Sequence, residues 1–150
     1  MVIKEKSLQL IIDSSKRGFW EEKFVGYKLF LCNNSRQTAY FPAEDSRVYI
    51  CLQAKDRLGN WKDIEYIPHS WCGNSYHTLY LAKKEYWQFD IPIYQGEIKT
   101  QIRASVIYED NLNGDRKVIY SNPISGSINP GQFWRKMGHH AVDIMDPYNE

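Results

Sequence analysis

Residues 97–108 read Glu-Ile-Lys-Thr-Gln-Ile-Arg-Ala-Ser-Val-Ile-Tyr, and residues 117–128 read Lys-Val-Ile-Tyr-Ser-Asn-Pro-Ile-Ser-Gly-Ser-Ile. In the first segment Ile98, Thr100, Ile102, Ala104, Val106 and Tyr108 recur at period two. Lys99, Gln101, Arg103, Ser105 and Glu109 take the alternate positions, with Ile107 the one apolar exception. Successive side chains on a strand point to opposite faces, so this alternation predicts a half-buried β-strand. Asn113-Gly114 then reverses the chain, and Val118, Tyr120, Ile124 and Ile128 are expected to continue the apolar side. A long hairpin of this kind places the chain in the antiparallel all-β class. It also separates Ile102, expected to face the core, from Arg103, expected to face away from it.

The rest of the chain reads the same way. Strands are expected over Leu8–Ile12, Val25–Asn33, Arg47–Lys55, Trp61–Ile67, Tyr76–Leu81 and Tyr86–Tyr94, then Glu97–Tyr108 and Arg116–Ile128. Residues 14–18 are expected to turn, Asn33-Asn34-Ser35 to break the second strand, and Leu58-Gly59-Asn60 to turn into the fourth. Val25, Tyr27, Leu29 and Leu31 are assigned inward, as are Val48, Ile50, Leu52 and Ala54. Seven or eight short strands with turn signals between them predict a sandwich. After residue 128 the pattern changes. Asn129 as cap, Pro130 as first helical residue and Gly138 as stop predict one short helical segment. It is followed by an extended tail, with residues 129–150 packing on the 1–128 sandwich.

Composition narrows the function. The 150 residues carry 19 basic and 18 acidic side chains, for a net charge of +1 and no basic block. Nucleic-acid binding through bulk electrostatics is therefore not expected. No apolar run approaches the length of a membrane span. The run Leu8–Ile12 is too short for a signal-peptide core, so the chain as written is expected in the cytoplasm. The three cysteines, Cys32, Cys51 and Cys72, are too few and too odd in number for a disulfide framework. They are expected to be reduced thiols. Aromatic residues reach 15%, more than a core of this size needs.

Thr100–Val106, the turn through Gly114 and Tyr120-Ser121-Asn122-Pro123 resemble the last hairpin of fibronectin type III and immunoglobulin-like sandwich modules. The resemblance covers roughly residues 7–128. No cysteine lies in residues 97–108 and no tryptophan in Arg47–Lys55, so the resemblance is to the immunoglobulin-like superfamily, not to immunoglobulin domains themselves. It implies a binding or spacer role more than a catalytic one.

Reactive side chains concentrate in residues 68–77, Pro-His-Ser-Trp-Cys-Gly-Asn-Ser-Tyr-His. His69, Cys72 and His77 offer two imidazoles and a thiolate suited to zinc, with His139, His140 or Asp143 as a fourth ligand. The His-x2-Cys-x4-His spacing matches no established zinc signature. Cys72 with His77 as base would make a nucleophilic pair, although no helix terminus stands near in sequence to activate the thiol. The structural alternative is a tight Gly73-Asn74 turn, Trp71 closing one end of the sandwich and the imidazoles capping loop carbonyls. No cofactor is expected. Under every reading the candidate binding residues are His69, Trp71, Cys72, Asn74, Tyr76, His77 and Trp61, because loops on a rigid β scaffold are where binding residues concentrate. Trp61 and Trp71, with tyrosines 49, 66, 76 and 80, also offer rings on which a sugar would stack, beside Asn74 or Gln88. The expectation is a non-enzymatic module that binds a protein partner through its loops or C-terminal tail. A carbohydrate-binding module is the alternative, and a metal- or thiol-dependent hydrolase centred on Cys72 and His77 the third.

Overall fold

The computed structural model describes residues 7–65, 73–112 and 114–134. These form eleven strands: β1 (Leu8–Trp20), β2 (Phe24–Asn33), β3 (Ala39–Glu44), β4 (Arg47–Val48), β5 (Ile50–Lys55), β6 (Trp61–Asp63), β7 (Tyr76–Leu81), β8 (Tyr86–Pro92), β9 (Ile98–Glu109), β10 (Arg116–Tyr120) and β11 (Ile124–Ile128). Every strand pairing is antiparallel. Gly73–Ser75 and Pro130–Trp134 are short 3-10 turns. No helix among the described residues is long and apolar enough to cross a membrane.

Two sheets enclose one core. The smaller has the order β1-β2-β8. The larger centres on β9, with β5 and then β6 on one flank and β10 and β11 end to end on the other. β3 joins at Tyr40↔Glu109 and carries β4 and β7. Leu10, Ile12, Leu29, Leu31 and Ile91 of the small sheet meet Phe41, Leu52, Ala54, Ile102, Ala104 and Val106 of the large one. The inward positions of β5 and β9 are those the alternation predicts.

The final hairpin departs from expectation at one place. Residues 116–128 are two strands, not one, and the register with β9 slips by one residue between Tyr120↔Ser105 and Ile124↔Ile102. An extra residue in one strand reverses the facing of everything beyond it. Val118 and Tyr120, assigned inward, are therefore 44% and 48% exposed on the outer face, while Ile128 is fully buried. The bulge does not orphan the ladder. Ser121 N–H donates to Ala104 O (2.8 Å), and Ala104 N–H donates to the Ser121 hydroxyl (2.8 Å).

A second slip alters the first strand. β1 continues through residues 14–18, expected to be a turn, because the three residues between Asp13↔Lys28 and Arg17↔Tyr27 bulge out. Asp13 Oδ1 accepts the Ser15 N–H (3.1 Å) and hydroxyl (2.5 Å) and so closes the bulge. β1 and β2 then run past the end of β8, whose last pair is Pro92↔Gly26. Val25, assigned inward, lies on this projecting part and is 53% exposed. β3 lies in a stretch to which the sequence pattern assigns no strand. Its Pro42, paired with Thr78, disguises it, since proline in a short apolar run argues against a strand. In the C-terminal turn Gln132 N–H donates to Asn129 O, and Gln132 Oε1 accepts the Asn129 N–H (both 3.0 Å), a reciprocal cap. Phe133 packs against the core and Trp134 is exposed. The remainder of the expected helical segment and tail lies outside the described residues.

Candidate binding face on the large sheet

Register places a connected set of side chains on the outer face of the large sheet. Lys55↔Trp61, Gln53↔Asp63 and Gln53↔Arg103 are cross-strand pairs, and paired residues share a face. Arg103 shares that face with Ser105, Ile107 and Glu109 along β9. Glu109 pairs with Arg116 on one side and Tyr40 on the other, and Tyr40 pairs with Tyr80. Glu44 pairs with Tyr76 one turn of the pleat further on.

At one end of the face the Arg103 guanidinium lies 4.3 Å from the Trp61 ring centroid and 3.7 Å from that of Tyr120. Its Nε–H donates to Gln53 Oε1 (2.9 Å), and Gln53 Nε2 donates to Asp63 Oδ1 (2.8 Å). Lys55 adds its ammonium 5.3 Å from the Trp61 ring. A planar cation held between two rings and oriented by a side-chain amide is a pre-ordered group. Desolvation by burial lowers the Arg103 pKa. Arg103 thus faces outward as expected, but it is not a free surface charge.

At the other end the Tyr40 and Tyr80 rings meet edge to face at 5.4 Å. The Tyr49 hydroxyl donates to Glu44 Oε2 (2.9 Å), and Glu44 is buried beneath it. Burial and then the Glu44 carboxylate push the Tyr49 hydroxyl well above the ordinary tyrosine range. Glu109, also buried, faces the Arg116 guanidinium at 3.7 Å. The two ends are six residues apart along β9, about 20 Å at the rise of a strand.

This arrangement relocates the residues expected from sequence. Trp61 is on the face as part of the Arg103 stack. Tyr76 is on it beside Glu44, and tyrosines 49 and 80 are on it too. Asn74 is exposed in the 3-10 turn at the edge of the face, and Ser75 O accepts the Asp45 N–H (2.9 Å). His77 pairs with Ala43 and is exposed. Its Nδ1 lies 3.0 Å from Ser75 O, and a carbonyl only accepts, so Nδ1 carries the proton. His69, Trp71 and Cys72 lie outside the described residues, as does Tyr66. Among the described residues no three of His, Cys, Asp and Glu converge as metal ligands.

Burial holds both described cysteines in the thiol form. Burial raises the Cys32 thiol. Burial and then the carboxylates of Asp63 and Glu65 push Cys51 up to about 12. Arg103, Tyr120 and Tyr40 are among the members of the face that sequence reading missed. Arg103 reads as one outward charge among several, and Tyr120 reads as core until the bulge is known. No protein-family model matches the chain, and no characterised protein matches it in sequence.

Proposed function

We propose that the protein is a non-enzymatic interaction module of immunoglobulin-like architecture that binds a protein partner on the outer face of its large sheet. The observation that carries this reading is the Trp61–Arg103–Tyr120 stack, continued across the face by Tyr40, Tyr80 and Tyr76. Tryptophan, tyrosine and arginine are the residue types that dominate binding energy at protein interfaces. A patch about 20 Å long suits one side of a standard interface. Part of the strand order supports the architecture: β1-β2-β8 faces β6-β5-β9 with β10 and β11, as strands A, B and E face C′, C, F and G in such modules, while β3, β4 and β7 are added to the large sheet.

The same stack weighs against a sugar site. A pyranose needs a bare ring face, and Arg103 already covers one face each of Trp61 and Tyr120. Crosslinking in native cells, with the wild type and Tyr120→Ala compared, tests the reading. Tyr86→Ala, at an exposed position on the small sheet, serves as control. A partner captured by the wild type and the control but lost with Tyr120→Ala supports it. Capture unchanged by Tyr120→Ala, or saturable glycan binding abolished by Trp61→Ala, overturns it.

A further inference from the structure

The projecting end of the β1–β2 hairpin carries the densest exposed apolar group among the described residues. Phe19, Phe24 and Val25 are 66%, 57% and 53% exposed, and Trp20 packs on Phe24 at 6.0 Å between ring centroids. The hairpin is closed by Glu21 and Glu22, both at positive φ (50° and 58°), with Lys23 N–H donating to Trp20 O (3.3 Å). That is the mirror-image turn that matches strand twist, built here from residues that dislike it. With Lys23 as its third residue, the turn carries a net charge of −1 and puts two carboxylates at the apex of an apolar wedge. Neither forms an ion pair among the described residues.

A cleft of about 820 Å³ opens between the sheets at the same end of the molecule. Tyr27, Ile91, Pro92 and Ile124 give it apolar walls, and the Ile102 side chain fills the place a side chain at Gly126 would take. Lys99 stands at its lining and forms no ion pair among the described residues. Asp56, also on the lining, is engaged by Lys62 at 3.1 Å and by the Leu58 and Asn60 amides. The hairpin tip does not line this cleft in its own chain. An acidic apolar wedge and a basic-edged apolar slot therefore sit side by side, each without its complement.

We propose that this end of the molecule is a self-association surface. The hairpin tip of one copy seats Phe19 and Phe24 in the cleft of a second copy, with Glu21 and Glu22 against Lys99, and the exchange is reciprocal. Because wedge and slot lie at one end, a two-fold axis satisfies both at once and the assembly closes as a dimer. The acidic apex disfavours the alternative occupant of an apolar tip, a lipid surface, which basic residues would serve better. The cleft and the sheet face proposed to hold a protein partner meet at Lys55, which lines the first and lies over Trp61 in the second.

Analytical ultracentrifugation of the intact chain at concentrations up to the order of 100 µM reads the result directly. The wild type should sediment at twice 17.7 kDa. Phe19→Ser with Phe24→Ser, and separately Lys99→Glu, should weaken the dimer at least about tenfold. All of these positions are exposed, and unchanged circular dichroism of each variant checks that it folds. Combining Lys99→Glu with Glu21→Lys and Glu22→Lys should restore association. A wild type that stays monomeric, a dimer indifferent to either variant, or a charge reversal that fails to restore it each overturns the proposal.

Discussion

Asn122→Ala should be among the most costly surface substitutions in the chain, and the reason is its position between the sheets. Asn122 stands in the bulge between β10 and β11, on the large sheet. Its Oδ1 accepts the Ile12 N–H of β1 at 2.8 Å, and its Nδ2 donates to Ile12 O at 3.0 Å. One side-chain amide thus makes both bonds that a neighbouring strand would make to Ile12, across a seam where β1 otherwise has no strand partner among the described residues. Two hydrogen bonds at about 0.5–1.5 kcal/mol each give about 1–3 kcal/mol. For a domain of this length that is a fall in Tm of about 2–12 °C. Asn122→Asp sharpens the test. A carboxylate still accepts the Ile12 N–H, but it repels Ile12 O unless it is protonated. Folding should therefore raise the pKa of the new carboxyl above its unfolded value of about 3.9. Stability would be fully present below the unfolded pKa and would be lost as pH rises through the folded pKa. Asn122→Asp should be less stable than Asn122→Ala at pH 7 and should regain ground in acid relative to the wild type. Thermal melts of the three proteins from pH 4 to 7 measure this. A Tm for Asn122→Ala within a degree of the wild type would refute the clasp. A gap between wild type and Asn122→Asp that does not change with pH would refute its two-bond geometry.

Two further outcomes are expected. The β3–β4 turn places Asp45 and Ser46 at φ 50° and 64° with no glycine, so Ser46→Gly should relieve left-handed strain and stabilise by roughly 0.5–1 kcal/mol, raising the urea midpoint; an unchanged or lower midpoint would show that the turn is unstrained. Cys51, with its thiol pushed up to about 12, should be alkylated by iodoacetamide at pH 8 at least about tenfold more slowly than free cysteine, as read by peptide mass, and labelling at the free rate would show that the thiol is neither buried nor held protonated.

The parts of the fold legible in the sequence were those where one face is buried without interruption. The inward set of β9 from Ile102 to Val106 and of β5 at Leu52 and Ala54 could be read directly, because period two and burial agree there. Legibility failed where the backbone adds residues without a compositional mark. Nothing in Ser14-Ser15-Lys16 announces a bulge rather than a turn, since serine and aspartate serve both. Read as a turn, the segment ends β1 at Ile12, and the hairpin tip with Phe19, Trp20 and Phe24 goes unseen as a surface. The same holds for Tyr120-Ser121-Asn122-Pro123. These residues carried the resemblance to fibronectin-like modules as a string, yet their physical content is a register slip that sends Tyr120 out to Arg103 and Asn122 across to Ile12.

The two irregularities work differently. The β10–β11 bulge exchanges an apolar core position for an aromatic on the outer face, and the ladder is made whole by Ser121. Tyr120 would otherwise point into a core already filled by Ile102, Ala104 and Val106, where its hydroxyl would need a buried partner. The β1 bulge instead loops three residues out of the ladder, which resumes beyond it from Arg17↔Tyr27 to Trp20↔Phe24 on consecutive residues of β2. Deleting Ser14 to Lys16 would join Asp13↔Lys28 directly to that run and leave the tip where β2 carries it. The core rows Leu10↔Leu31 and Ile12↔Leu29 lie on the other side of the deletion and keep their pairing. Self-association should thus survive removal of residues that belong to neither the tip nor the cleft, and sedimentation of the deletion variant as a monomer would refute this.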